Sequence, residues 1–149
     1  MSRPRISSKI PASFEVGGRV TFTRTFTEGD MSLFIGSTWD VNPYHTDDRF
    51  AAQTRFGRRI LPGLLAASMA THLGGLWGFL ATEMHLEFLA PVYVGDTITL
   101  EVEIVAIEGT RQKVNARSRW TNADGVEVLR GSFAGYPAER DDAPAPAAG

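Results

Sequence analysis

From Ile60 to Thr82 the chain carries no Asp, Glu, Lys or Arg. A helix without a polar face has to be enclosed on every side. This stretch therefore limits what the remainder can be, because something must wrap around it. A run of this length could also cross a bilayer. Pro62, His72 and four glycines (Gly63, Gly74, Gly75, Gly78) interrupt it, however, and the alternating segments around it would then have nothing to pack on. Pro62 suits a first helical turn, where a missing N–H costs nothing. Ala66, Ala67, Ser68, Ala70, Gly74 and Gly75 would let a sheet lie close. One long buried helix is expected, and no membrane segment.

The remainder alternates. Val16, Val20, Phe22 and Phe26 share one parity, with Arg19, Thr21, Thr23 and Thr25 on the other. This is the period of a half-buried strand, with Gly17-Gly18 read as a bend. Thr27 ahead of Glu28 and Asp30 reads as the N-cap of a short helix with an acidic first turn. Met31, Phe34, Ile35 and Thr38 carry that helix to Asp40, and Asp48 to Phe56 suggests another turn or two. After the charge-free run come four more alternating segments: Glu83 to Ala90, Thr97 to Ile104, Lys113 to Trp120 and Val126 to Tyr136. Gly95-Asp96, Glu108-Gly109 and Ala123-Asp124-Gly125 have hairpin composition, so a four-stranded antiparallel meander is expected, completed by the N-terminal strand. The fold class is α+β. A curved antiparallel sheet around one long central helix is the hotdog arrangement. Such a sheet leaves edges that a second copy could cover, so a homodimer is expected.

At 149 residues one domain is expected, spanning 13–136. Residues 1–12 and 137–149 read as tails; the second is a Pro/Ala/Asp mixture without large apolar side chains. There is no cysteine, which excludes disulfides and thiolate metal sites. Fifteen basic residues stand against 17 acidic ones, a net charge of -2. No basic surplus points to nucleic acid or to an anionic membrane. No apolar signal region follows Met1, and a cytoplasmic location is expected.

The chemistry-bearing stretch is Trp39 to Asp47, which gathers Asp40, Asn42, His45 and Asp47. Pro43 fixes its own φ and pushes Asn42 out of the helical region. The segment reads as a rigid kink presenting Asp40 and His45 from two sides. An Asp and a His that reach one water are the parts of a general acid/base pair. The same composition also suits a plain turn.

The run Asp40-Val41-Asn42-Pro43-Tyr44-His45-Thr46-Asp47 is followed by Phe50-Ala51-Ala52, Phe56-Gly57, Ile60 to Ser68, and Phe88-Leu89-Ala90-Pro91-Val92-Tyr93-Val94-Gly95-Asp96. Together these resemble the MaoC-like, (R)-specific enoyl-CoA hydratases over about residues 14–136. The resemblance implies a hotdog homodimer. It implies a hydro-lyase of fatty acid metabolism that reversibly adds water to trans-2-enoyl thioesters, giving (R)-3-hydroxyacyl thioesters. The substrate would be an acyl-CoA or an acyl carrier protein thioester, with no cofactor and no metal. Asp40 and His45 match the family's catalytic pair, Asn42 its supporting Asn, and Gly63 the glycine that opens the central helix. The backbone N–H groups of Gly63 and Leu64 would form the oxyanion hole. Thr38-Trp39 stands where the family commonly has Ser-Gly, and Pro62 where it commonly has His. Trp39, Tyr44, Phe56 and Pro62 are expected at the substrate pocket. The bulk of Trp39, Tyr44, Phe50, Phe56, Leu64, Met69, Trp77 and Phe79 suggests a short or compact acyl group.

Other residues read as structural. Asp47 suits the cap of the next helical turn. His72 and His85 read as structural histidines. A hard cation on Asp40, His45 and Asp47 would have few oxygen ligands. Arg55, Arg58 and Arg59 could meet a CoA phosphate, though an ordinary solvated loop is the reading preferred. Two further functions fit the same fold: a hotdog acyl-CoA thioesterase, using the same oxyanion donors, and a non-catalytic acyl-thioester-binding subunit of a heteromeric dehydratase.

Overall fold

The computed structural model describes residues 15–137. The expected N-terminal tail, and the C-terminal one apart from Pro137, lie outside the described residues. The elements run β1 (Arg19–Thr25), α1 (Glu28–Thr38), α2 (Pro43–Thr46), α3 (Asp48–Ala52), α4 (Gly63–Ala67), α5 (Met69–Trp77), β2 (Leu80–Phe88), β3 (Thr97–Glu108), β4 (Lys113–Asn122) and β5 (Glu127–Tyr136).

One antiparallel five-stranded sheet has the order β1-β3-β4-β5-β2. The expected meander is correct only for β3, β4 and β5. β2 does not pair with β3; it lies at the far edge against β5, from Leu80↔Tyr136 to Phe88↔Leu129. Gly95-Asp96 is therefore the end of a crossover rather than a hairpin. The Gly95 N–H donates to the Phe26 carbonyl and the Phe26 N–H to the Asp96 carbonyl, which turns the chain into β3 beside β1. A turn composition identifies a turn, but which strands meet across it depends on the whole sheet.

One face of the sheet is the core. Ile98, Leu100, Val102 and Ile104 of β3, and Val114, Ala116 and Trp120 of β4, are buried beneath Leu65, Ala66, Met69 and Leu73 of the helices. Burying each large apolar side chain contributes roughly 1.5–3 kcal/mol. In β5 the pairing slips between Trp120 and Thr121, leaving Val128 as an extra residue. Val128 and Leu129 can then both be buried, which a regular strand would forbid. The Val128 carbonyl accepts from the N–H groups of Leu89 and Ala90, tying the crossover to the bulge.

The expected long helix is bent and shorter. It divides at Ser68, whose hydroxyl donates to the Leu65 carbonyl at 2.6 Å, while the Thr71 hydroxyl does the same to Ser68 at 2.6 Å. Such side-chain donors compete for helix carbonyls and bend the axis. Gly78 (φ 60°) ends α5 in the left-handed conformation, and the Phe79 N–H closes back on the Gly74 carbonyl. Phe79 to Thr82 therefore belong to the strand side of the break. Nor is the helix enclosed within the chain: Leu64, Thr71, His72 and Leu76 are exposed. Absence of charge marked this helix as unsuited to water, but not which neighbour would cover it. Among the described residues no helix is long and apolar enough to cross a membrane.

Candidate active site

α1 delivers the chain to the site. Thr27 and Asp30 cap it reciprocally: the Asp30 N–H donates to the Thr27 hydroxyl and the Thr27 N–H to the Asp30 carboxylate. The Thr27 N–H, with Arg24 beside it, holds the Asp30 carboxyl below its ordinary value of 3.8. α1 ends at Trp39, in the left-handed region at φ 59°. That backbone suits glycine, and a side chain there carries a cost of about 1–2 kcal/mol.

The loop after Trp39 is held by its own polar groups. The Asn42 side-chain oxygen accepts from the Tyr44 N–H, so Asn42 supports the loop and the start of α2 and makes no hydrogen bond to Asp40. Asp47 accepts from the N–H groups of Arg49 and Phe50, capping α3. That use of its carboxylate leaves Asp40 and His45 as the pair. Arg59 donates to Asp48 at 2.7 Å, Glu28 at 2.9 Å and the His45 carbonyl at 3.2 Å. Its role is to tie α1, α2 and α3 together, which removes it from the candidate phosphate ligands.

His45 is only 8% exposed. Its Nδ1 lies 2.7 Å from the Ile60 carbonyl oxygen. A carbonyl can only accept, so Nδ1 carries the proton and Nε2 of the neutral ring presents a lone pair. Nε2 stands 3.6 Å from Asp40 Oδ2, whose side chain is 40% exposed. That separation is too long for a direct hydrogen bond, yet one water oxygen can reach both atoms. The Ile60 N–H in turn donates to the Tyr44 carbonyl, and the Leu61 N–H to the Val92 carbonyl. This short bridge sets the dyad against the start of α4. The Ile60 carbonyl was not anticipated, because a backbone acceptor leaves no signature in residue type.

A cleft of about 450 Å³ opens beside the dyad. Asp40, His45, Phe56, Gly63, Leu64 and Phe88 are among the residues that line it. Gly63 and Leu64 are the first two residues of α4, where N–H groups have no partner within the helix. A Cβ on Gly63 would lie 2.5 Å from the Phe88 ring, so glycine is what lets β2 and the helix start share this wall. Of the residues expected at the substrate pocket, Phe56 lines this cleft. Tyr44 stands behind it, packed edge-on at 5.8 Å. Trp39 is 83% exposed and Pro62 is buried; neither lines the cleft. Pro62 instead caps α4, accepting from the Leu65 N–H through its carbonyl.

A second, larger cavity of about 740 Å³ is mostly apolar and is lined by Ala70, Leu73, Gly74, Met84 and Phe133, among others. The two spaces lie along one seam between the bent helix and strands β2 and β5. Ala66 and Ala70, Phe88 and Met84, and Leu129 and Phe133 are each four residues apart, the first of each pair on the smaller space and the second on the larger. That spacing is ~6 Å on a helix and ~13 Å on a strand. Of the bulky residues behind the expectation of a short acyl group, Phe56 and Leu64 line the dyad cleft. Trp77 and Phe79 line the larger space without filling it, Met69 is core, and Phe50 packs on Tyr44. His72 is exposed, with its ring 4.4 Å from that of Phe22, and His85 is exposed on β2. Neither lines the dyad cleft.

Residues 13–124 match the family model of the MaoC-like domain. The chain is 32% identical over 123 residues to the (R)-specific enoyl-CoA hydratase of Aeromonas caviae, covering 80% of this chain and 92% of that protein. The solved structure of the A. caviae (R)-hydratase superposes with a TM-score of 0.78 at 31% identity, over 85% of this chain and 98% of that one. The R-hydratase PhaJ1 of Pseudomonas aeruginosa gives 0.76 at 27% identity, over 91% and 94%.

Proposed function

The chain belongs to the MaoC-like domain family, and from that premise we propose that it is an (R)-specific enoyl-CoA hydratase/dehydratase, a hydro-lyase acting on trans-2-enoyl thioesters. The observation that carries this reading is the Asp40–His45 pair, 3.6 Å apart, with His45 pinned on the Ile60 carbonyl at the edge of a thioester-sized cleft.

In the proposed reaction a water donates one hydrogen bond to Asp40 Oδ2 and the other to His45 Nε2. Its oxygen bonds to C3 of the enoyl group while its proton passes to the Asp40 carboxylate. The π electrons shift onto the thioester oxygen, where the N–H groups of Gly63 and Leu64 stabilise the developing charge. The proton then returns from the dyad to C2, and the reverse sequence is dehydration. Because one dyad takes and returns the proton, both parts of the water add to one face. His45 steadies the water, and Asn42 acts by holding the loop.

The acyl chain runs from the dyad cleft along the seam into the larger apolar cavity. A second copy of the chain covers the β2 edge, where Leu80 (73% exposed), Met84 and Phe88 are exposed. The carrier is CoA or an acyl carrier protein.

Adding the protein to crotonyl-CoA should lower the absorbance of the conjugated thioester and give the R alcohol. Release of free thiol and crotonate in place of the 3-hydroxyacyl thioester would favour the thioesterase alternative. No reaction with enoyl-CoAs of any length would remove the hydratase reading in favour of a non-catalytic subunit.

A further inference from the structure

Arg55 and Arg58 are set apart from most of the protein's cations. On the sheet Arg117 pairs with Glu103 and Arg130 with Glu87, and near α1 Arg24 pairs with Asp30. Arg55 and Arg58 have no carboxylate partner among the described residues. Their guanidinium groups instead lie over aromatic faces, Arg55 at 4.8 Å from the Phe56 ring and Arg58 at 4.2 Å from that of Tyr93. The two platforms are joined, since the Tyr93 hydroxyl donates to the Phe56 carbonyl at 3.1 Å. Both arginines are exposed, and Arg55 also lines the dyad cleft. They therefore stand where that cleft meets solvent.

A guanidinium held against a ring keeps its charge and its in-plane N–H donors while losing much of its freedom to wander. Two such groups on linked platforms, with no acid to neutralise them, present a fork of donors suited to phosphate oxygens. We infer that Arg55 and Arg58 anchor the phosphate at the end of the pantetheine arm while the thioester at its other end lies at Asp40 and His45. This rests on the hydratase reading. The same phosphate chemistry is offered by CoA, as a diphosphate, and by a carrier protein, as a phosphodiester.

The test is equilibrium binding, which does not need turnover. CoA and 4′-phosphopantetheine are titrated calorimetrically into the wild type and into the Arg55→Gln/Arg58→Gln variant. Both ligands should bind about tenfold or more weakly to the variant. Equal affinities would overturn the anchor, and weakening of CoA alone would overturn its assignment to the pantetheine phosphate. A second arm compares KM for enoyl-CoA and enoyl-carrier protein, each divided by KM for the phosphate-free enoyl-pantetheine. A rise in either ratio in the variant supports the anchor and identifies the carrier. An equal rise in all three KM values means distorted loop geometry and overturns it. If the wild type binds CoA through this pair yet hydrates no enoyl thioester, the anchor stands and the hydratase reading falls.

Discussion

Replacing Asp40 by Asn isolates chemistry from folding. The Asp40 carboxylate is 40% exposed and meets His45 Nε2 only at 3.6 Å. No hydrogen bond to it is formed within the described protein, so the isosteric amide leaves nothing buried unpaired. Surface changes of this kind usually stay within about 0.5 kcal/mol. The effect on the reaction is of another order. A general base contributes about 10²–10⁴ in rate, which corresponds to about 2.7–5.5 kcal/mol of transition-state stabilisation. The amide cannot accept the water's proton, and its NH₂ can turn towards Nε2 and occupy the lone pair that steadies that water. The expected result is a fall in kcat of that size with little change in KM, followed through the absorbance of crotonyl-CoA. His45→Ala should fall similarly. The double variant should be no worse than roughly the poorer single one, because the two residues serve one water. An Asp40→Asn enzyme that keeps its Tm and more than about a tenth of wild-type kcat would refute the reasoning.

Two further outcomes follow from the geometry. Asp30 has its carboxyl held below 3.8, first by the Thr27 N–H and also by Arg24; a depressed folded value stabilises above the unfolded one and is lost as pH falls through it. Asp30→Asn should cost about 1 kcal/mol or less at neutral pH in urea unfolding, and its difference from wild type should shrink as pH drops below 3.8; a constant difference would contradict the linkage. Ala70 lines the larger apolar cavity, so Ala70→Phe should lower kcat/KM for octenoyl-CoA relative to crotonyl-CoA by about tenfold or more, and an unchanged ratio would place the acyl chain elsewhere.

Local signals were legible wherever the cause was local. The Thr27 cap, the Asp47 cap, the alternation of β3 and β4 and the kink at Asn42-Pro43 each depend on a few neighbouring residues, and each lies where the sequence places it. Asp40 and His45, singled out by residue type, spacing and the family resemblance, stand 3.6 Å apart. The pairing of β2 with β5, the bend at Ser68 and the removal of Trp39 and Pro62 from the cleft were not legible. Those depend on which distant surfaces compete for the same partner.

The loop from Trp39 to Asp47 shows the division most plainly. Its residues specify a rigid turn with an acid and an imidazole, since Pro43 and the Asn42 side chain act within the loop. They do not specify which imidazole nitrogen faces the acid. The Ile60 carbonyl decides that by accepting a hydrogen bond from Nδ1–H. Ile60 is itself held by Tyr44 and the crossover near Val92 and Tyr93. A backbone acceptor fifteen residues away in sequence becomes a neighbour only once the sheet has brought the crossover against the helix start. The acid and the imidazole are thus written in the sequence, while the orientation of the ring comes from long-range packing.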